Sequence, residues 1–305
     1  MGTEGAGATR PPLASDDGGR RERFARAALR VPFGLKLATV WTAILLLLAA
    51  FFAAARFDLP WMQDKFLFIF GGLRYTLIIA VSGIAMAVIL ALLGALGRLS
   101  GNPIAYGIAG FYTSFFRGTP LIVQMFLIYL ALPQVGINLT EQFPGLPPQL
   151  RDFLTLEAAV AGIVALGLNY GAYMTEIFRA GIQAVGHGQG EAAEALGMTY
   201  RQKMRRVVLP QAFRVIIPPT GNEFIAMMKD TALVSFLGAS AATAELFRRS
   251  QLVGKASFKN LEAYIVAALL YWVLTAIFSH FQGRLEKRLS KGYTRAIEPV
   301  EAIPH

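Results

Sequence analysis

The sequence predicts an all-α membrane protein of about six transmembrane helices with both termini on the cytoplasmic side. Three observations predict it. Only 16% of the 305 residues are charged and 55% are hydrophobic, whereas a soluble domain carries about 25% charged residues. The mean hydropathy is +0.49. The apolar residues are gathered into uncharged runs close to the roughly 20 residues that a helix needs to cross about 30 Å of hydrocarbon. The formal charge of +10 does not point to nucleic acid, because the long uncharged runs leave no soluble basic domain to carry it; basic loops at a membrane surface account for it better. Zero cysteines exclude disulfide frameworks, thiolate metal sites and cysteine nucleophiles.

Taken in order, residues 1–35 read as a flexible polar tail running into a basic juxtamembrane stretch, RRERFARAALR. An additional N-terminal helix follows over 36–56, with its apolar run at Leu37 to Ala55. Ala53-Ala54-Ala55 resembles a signal-peptidase site, but the long polar region ahead of the run favours an uncleaved anchor. Tyr75 to Gly97 is the next span; its Ser82, Gly83, Ala87, Ala91, Gly94 and Gly97 make a small-residue face suited to close packing within the chain or across a dimer seam. Ile104 to Pro133 is apolar but interrupted by Arg117-Gly118-Thr119-Pro120, which predicts an interfacial helix followed by a spanning one. Glu157 to Ala184 is a span that carries Glu176 and Arg179. Gln211 to Gly238 is the most polar, with Arg214, Glu223, Lys229, Asp230 and the pair Pro218-Pro219, where the helix is expected to open. Ala263 to Gly283 is the last span, and 289–305 form a basic cytoplasmic tail. With this map most of the 29 basic residues fall on the side of the N-terminus, the positive-inside bias, and Arg248, Arg249, Lys255 and Lys259 dissent from it.

The segment between the spans Glu157 to Ala184 and Gln211 to Gly238, at about 185–210, is the most informative. Glu191 to Leu196 is a strong helix former closed by Gly197. A second helix over Thr199 to Arg206 sets Met204, Val207 and Val208 against Arg201, Lys203, Arg205 and Arg206, and Pro210 is expected to end it. The result is a compact helical hairpin exposing both charge and apolar surface, as a docking site or as an amphipathic loop lying on lipid.

Glu191, Ala192, Ala193, Gly197, Leu209 and Pro210, with Val207 at the position usually held by Ile, stand at the spacings of the EAA signature. On that pattern the chain resembles the permease subunits of binding-protein-dependent ABC importers, and the polar amino-acid branch in particular. Further matching stretches are Phe116 to Leu121 with Gln124, Ala172 to Arg179, Gly188-Gln189, Leu209 to Ala212 and Lys229-Asp230-Thr231. The likeness runs over about 72–288. His187 and Ala232 depart from it, the first from a common basic residue and the second from a common Ser. The resemblance implies a five-helix type I importer core, here with one extra helix, in the bacterial cytoplasmic membrane. It implies as partners a cytoplasmic ABC ATPase dimer docked on the EAA loop, a second permease chain, an extracytoplasmic substrate-binding protein and an amino-acid substrate. The sequence holds no G-x-x-x-x-G-K-[ST] phosphate loop, so no cofactor is expected on this chain and ATP with Mg belongs to the partner.

Ionised groups in a span cost about 2.5–3.5 kcal/mol each, so the polar residues of the spans are expected to face protein or a cavity. Asn169, Tyr173, Glu176 and Ala180 share one helix face. A zwitterionic substrate needs a cation for its carboxylate and an anion for its ammonium. The candidate pathway residues are therefore Arg117, Gln124, Tyr173, Glu176, Asn222, Glu223, Lys229 and Asp230. Against direct contact, Glu176 with Arg179 is an i, i+3 pair, and Lys229 with Asp230 can serve as an interface anchor. A secondary transporter driven by an ion gradient would also have these spans and buried charges but leaves the loop unexplained. A membrane enzyme is disfavoured, because His187, His280 and His305 are scattered without metal-ligand spacing.

Overall fold

The computed structural model describes residues 32–147 and 149–289, so nearly all of both predicted tails lies outside the described residues. Every regular element among the described residues is helical. Among the described residues five stretches are long and apolar enough to cross a membrane: Phe33–Ala55, Leu59–Leu99, Leu121–Gln142, Ala158–Gln183 and Asn260–Leu289. The polar segment from Gln211 falls short on hydropathy, as its charges dictate.

The chain divides into two compact units at Asp58 and Leu59. The first contains α1 (Phe33–Ala55), which carries no buried residue and closes at Arg56 in a left-handed conformation. The second holds all the remaining elements. It opens with α2 (Leu59–Phe70) and α3 (Leu73–Leu99).

The centre of the second unit is the packing of α3 on α7 (Ala158–Gln183). Lipid is as apolar as leucine, so helices gain most by approaching closely through small residues. The predicted small-residue face does this within the chain: Ala87 and Ala91 are fully buried, Gly83 meets Leu166 and Met227, and Gly94 lies against Thr175. Ile79, Met125, Leu166, Met174 and Met227 fill the core around it.

Between these helices run α4 (Pro103–Gly118), α5 (Leu121–Gln142) and the short α6 (Gln149–Leu154). Asn102 caps α4 by accepting from the Ile104 amide at 2.9 Å, with Pro103 where a missing N–H costs nothing. α4 is packed against the centre of the unit. Gly97 packs on Ala105 and Ala109, and the Tyr112 hydroxyl donates to the Leu168 carbonyl, near the middle of α7, at 2.7 Å.

The loop helices α8 (His187–Ala195) and α9 (Tyr200–Lys203) lead into α10 (Leu209–Asp230). Here the structure departs from expectation twice. Pro210 does not end a helix: a π turn over Met204–Val208 precedes it, and the Leu209 amide donates to the Met204 carbonyl five residues back. The widened turn makes room for a proline ring that would otherwise collide with the carbonyl four residues earlier. Pro218 and Pro219 likewise lie inside a continuous α10. The Pro218 carbonyl is taken by the Gln282 side-chain amide of α12 (Asn260–Leu289) at 2.7 Å. The helix narrows to a 3-10 turn only at Thr231–Leu237.

Next comes α11 (Leu246–Ser257), capped by the fully buried Glu245. Its carboxylate accepts from the Phe247 and Arg248 amides, each at 2.6 Å, and from the Tyr271 hydroxyl at 2.8 Å. Burial pushes this carboxyl up to about 7 against the lowering effect of those donors. Gly72 lies against the backbone of Glu245 and Leu246, where a side chain would not fit. Two of the dissenting cations are spent on backbone carbonyls: Arg248 Nε donates to Ala239 O at 2.9 Å and Arg249 Nη1 to Phe68 O, in the last turn of α2, at 3.0 Å.

Candidate pathway and docking loop

The break between α4 and α5 sits beside the middle of α7. Pro120 has no amide hydrogen and holds Thr119 extended, so α4 stops at Gly118 and its last carbonyls lose their helical partners. Two buried side-chain amides take them. Gln124 Nε2 donates to Phe116 O at 2.9 Å, Thr119 O at 3.0 Å and Thr119 Oγ1 at 2.7 Å. Asn169 Nδ2 donates to Phe116 O at 2.9 Å and Gln124 Oε1 at 3.1 Å. The discontinuous helix expected at Pro218-Pro219 is therefore found at 118–120, and the Gln124 amide is committed to splinting it. Asn169→Leu leaves a buried carbonyl short of a donor, a loss of about 1–3 kcal/mol, and is expected to lower the melting temperature in detergent; an unchanged melting curve would show the splint to be dispensable.

Around the break the structure gathers several of the predicted residues. The Arg117 guanidinium lies 5.3 Å from the centre of the half-exposed Tyr173 ring, a cation over an aromatic face at the carbonyl end of α4. One turn before Tyr173, Tyr170 donates its hydroxyl to Asp230 at 2.8 Å. Glu223 lies two helical turns before Asp230 on the same side of α10 and makes no hydrogen bond or salt bridge among the described residues. Glu176 is held differently: its carboxylate is 2.7 Å from Arg179 and 3.7 Å from Arg98 on α3, all three side chains being mostly buried. Asn222 and Lys229 are exposed. Together with exposed Arg214 they form one stripe of α10 (i, i+8, i+15), away from the Glu223 and Asp230 side.

The hairpin between α7 and α10 takes the predicted shape. The Gly197 amide donates to Glu194 O at 2.8 Å and the Met198 amide to Ala193 O at 3.1 Å, with Gly197 at φ +75. This paired pattern is the Schellman closure, which places a residue in the left-handed region where only glycine is free of strain. Thr199 and Gln202 then cap α9 reciprocally, at 3.3 Å and 2.9 Å, a T-x-x-Q signal that the sequence carries openly. Lys203, expected on the basic face, turns inward and pairs with Glu194. Arg201, Arg205 and Arg206 stay exposed.

Of the EAA residues, Ala193 packs inward and is buried, while Glu191 and Ala192 are exposed. Leu209 is half-buried and Pro210 exposed. A cavity of about 450 Å³ opens beside the hairpin, lined in part by Glu191, Glu194, Tyr200 and Lys203. Sequence reasoning missed Leu196 and Tyr200, which are 79% and 72% exposed at the tip. Both flank Gly197 and Thr199, the two helix-end signals, and that position was the clue to them.

A bundle of apolar helices enclosing a polar, broken-helix region, with a hairpin joining the two helices that line it, defines a membrane transport subunit. Residues 83–291 match the family described as binding-protein-dependent transport system inner membrane component, and the chain belongs to that family; it is a multi-pass inner-membrane protein. It is 38% identical over 236 residues to the probable amino-acid permease protein YxeN of Bacillus subtilis, covering 77% of this chain and 97% of that one. To the histidine/lysine/arginine/ornithine transport system permease protein HisQ of Escherichia coli it is 37% identical over 225 residues, covering 74% and 94%. Among solved structures, an amino acid ABC transporter crystallised with histidines matches at 37% identity and a TM-score of 0.66, over 76% of this chain and 99% of that one. The MetNI methionine ABC transporter, at 18% identity and a TM-score of 0.52, shares the fold.

Proposed function

We propose that this chain is the membrane-spanning subunit of an ATP-driven importer of amino acids. It forms the translocation pathway and takes its energy from a separate cytoplasmic ABC ATPase dimer docked on the hairpin. The observation that carries the reading is the hairpin's place in the chain. It continues directly from α7 and into α10, and Gln211 of α10 donates to Gln189 of α8 at 3.1 Å, so force applied at Glu191, Ala192 and Gly197 reaches the helices bearing Tyr173, Glu223 and Asp230. ATP and Mg are used by the partner; the sequence carries no phosphate loop of its own.

The finer arrangement follows from burial and charge. In this reading α10, with the 3-10 turn after it, is the sixth span, both termini are cytoplasmic, and the hairpin faces the ATPase. Arg214, Asn222 and Lys229 cannot face lipid without a cost of about 2.5–3.5 kcal/mol for each charge. A second permease chain, identical or similar, covers that stripe and closes the pathway. Glu223 and Asp230 offer carboxylates to a substrate ammonium, with Arg117 as the candidate for its carboxylate, while Lys229 belongs to the stripe that the second chain covers. An extracytoplasmic binding protein delivers the substrate at the end opposite the hairpin.

The test is reconstitution. Purified with its ATPase into proteoliposomes, the complex is expected to accumulate labelled amino acid only with ATP and a loaded binding protein. Uptake by this chain alone under an ion gradient would overturn the proposal in favour of a secondary transporter.

A further inference from the structure

Most of α11 is packed against neighbours, and only its last turn emerges. The residue that follows, Phe258, has φ 54 and is 95% exposed. The turn around it is fully formed, with the Lys259 amide donating to Gly254 O at 2.9 Å and the Phe258 amide to Lys255 O at 3.5 Å. This is a position where glycine is free of strain. A side chain there is strained, and the phenyl ring makes no ring pairing among the described residues. An aromatic ring held in a costly backbone conformation, and turned away from its own chain, is placed for something outside the chain.

The depth of the corner says what that is. The uncharged run of α12 extends from Ala263 to Gly283, between Glu262 and Arg284. At about 1.5 Å per residue it spans about 31 Å, the thickness of the hydrocarbon layer. Phe258 therefore stands about one helical turn beyond the hydrocarbon edge, inside the polar headgroup layer, which extends about 5–7 Å on each side. Its neighbours have the composition of that layer. Lys255 is exposed in the preceding turn, Lys259 lies 5.7 Å from the Trp61 ring, and Leu261 and Leu59 are exposed. Phe and Leu buried at the headgroup–acyl boundary, with long cationic stems reaching toward phosphates, are how interfacial segments are held to a membrane.

We propose that Phe258, with Leu261 and Lys255, seats the corner between α11 and α12 in the phospholipid headgroup layer and so fixes the height of α12 in the bilayer. α12 holds Pro218 of α10 through Gln282 and Glu245 through Tyr271. Its height is thereby passed to the pathway helix and to the α11 cap. The proposal requires that α12 span the membrane and is independent of what the chain transports.

Phe258→Trp, placed in lipid nanodiscs, reads the site directly against the parent protein with Trp41, Trp61 and Trp272. The added emission is expected to be blue-shifted, quenched by phospholipid brominated near the headgroup and insensitive to aqueous iodide. Red-shifted emission quenched by iodide and not by brominated lipid would overturn the proposal. So would emission that loses its iodide sensitivity only when the binding protein is added, which would make the partner a protein. Should the tryptophan variant fold poorly, Phe258→Gly relieves the left-handed strain and removes no internal contact. Its melting temperature in detergent is expected to match or exceed the parent's, while its gain on transfer to a bilayer is smaller; an equal gain overturns the proposal.

Discussion

Gly197→Val is expected to lower substrate-driven ATP hydrolysis and uptake about tenfold while the chain still folds and inserts. Space is not the reason, since no atom lies within 4 Å of where a Cβ would stand. The reason is φ +75, where a β-branched residue is a genuine outlier costing about 1–2 kcal/mol. The hairpin has little to absorb that cost, because the closure consists of two hydrogen bonds and the Lys203 pair with Glu194. A shift of about 1.4 kcal/mol is tenfold in the population of the docking-competent shape (RT ln 10), and the exposed tip residues Leu196 and Tyr200 move with it. Gly197→Asn, which enters the left-handed region at low cost, is expected to retain most activity. Equal activity in the valine and parent proteins, with the ATPase still bound, would remove the hairpin from the coupling route.

Glu176→Gln is expected to destabilise the fold before it alters substrate choice. One carboxylate holds two guanidiniums, Arg179 at 2.7 Å and Arg98 at 3.7 Å, and Arg98 Nε is buried without a hydrogen-bond partner. Removing the anion leaves two mostly buried cations facing each other. Breaking a fully buried pair costs about 3–5 kcal/mol; with Glu176 22% exposed, solvent screening reduces this to about 1–3 kcal/mol. Detergent melting curves should show the drop, and adding Arg98→Gln should recover part of it, since the excess charge is gone. A variant that melts like the parent but changes the half-saturation concentration for substrate would instead place Glu176 in contact with substrate.

Periodicity and composition carried far in this chain because a bilayer penalises error severely. Uncharged runs long enough to cross it are few, so α1, α3, α7 and α12 could be drawn from the sequence to within a few residues. The hairpin was legible for a different reason: its glycine and capping residues are local signals, each tied to backbone geometry within one turn. Proline was the misleading signal. Pro210, Pro218 and Pro219 looked like helix breakers, yet a π turn precedes the first and the helix runs on through the other two, and neither outcome has a sequence mark near the proline. The break at 118–120 was legible from Pro120, but nothing local reveals that Asn169 comes to meet it.

The sequence by itself determined that this is a helical membrane protein of the binding-protein-dependent transport family, and where its hairpin lies. These properties are written in composition, run length and spacing along the chain. Only the tertiary structure decided what each polar side chain does. Gln124 and Asn169 serve the broken helix, Glu176 is shared between two arginines, and Ala193 turns inward while Leu196 and Tyr200 turn out. Such assignments depend on partners tens of residues away, and a polar group in an apolar solvent takes whichever partner the packing of helices brings within about 3 Å.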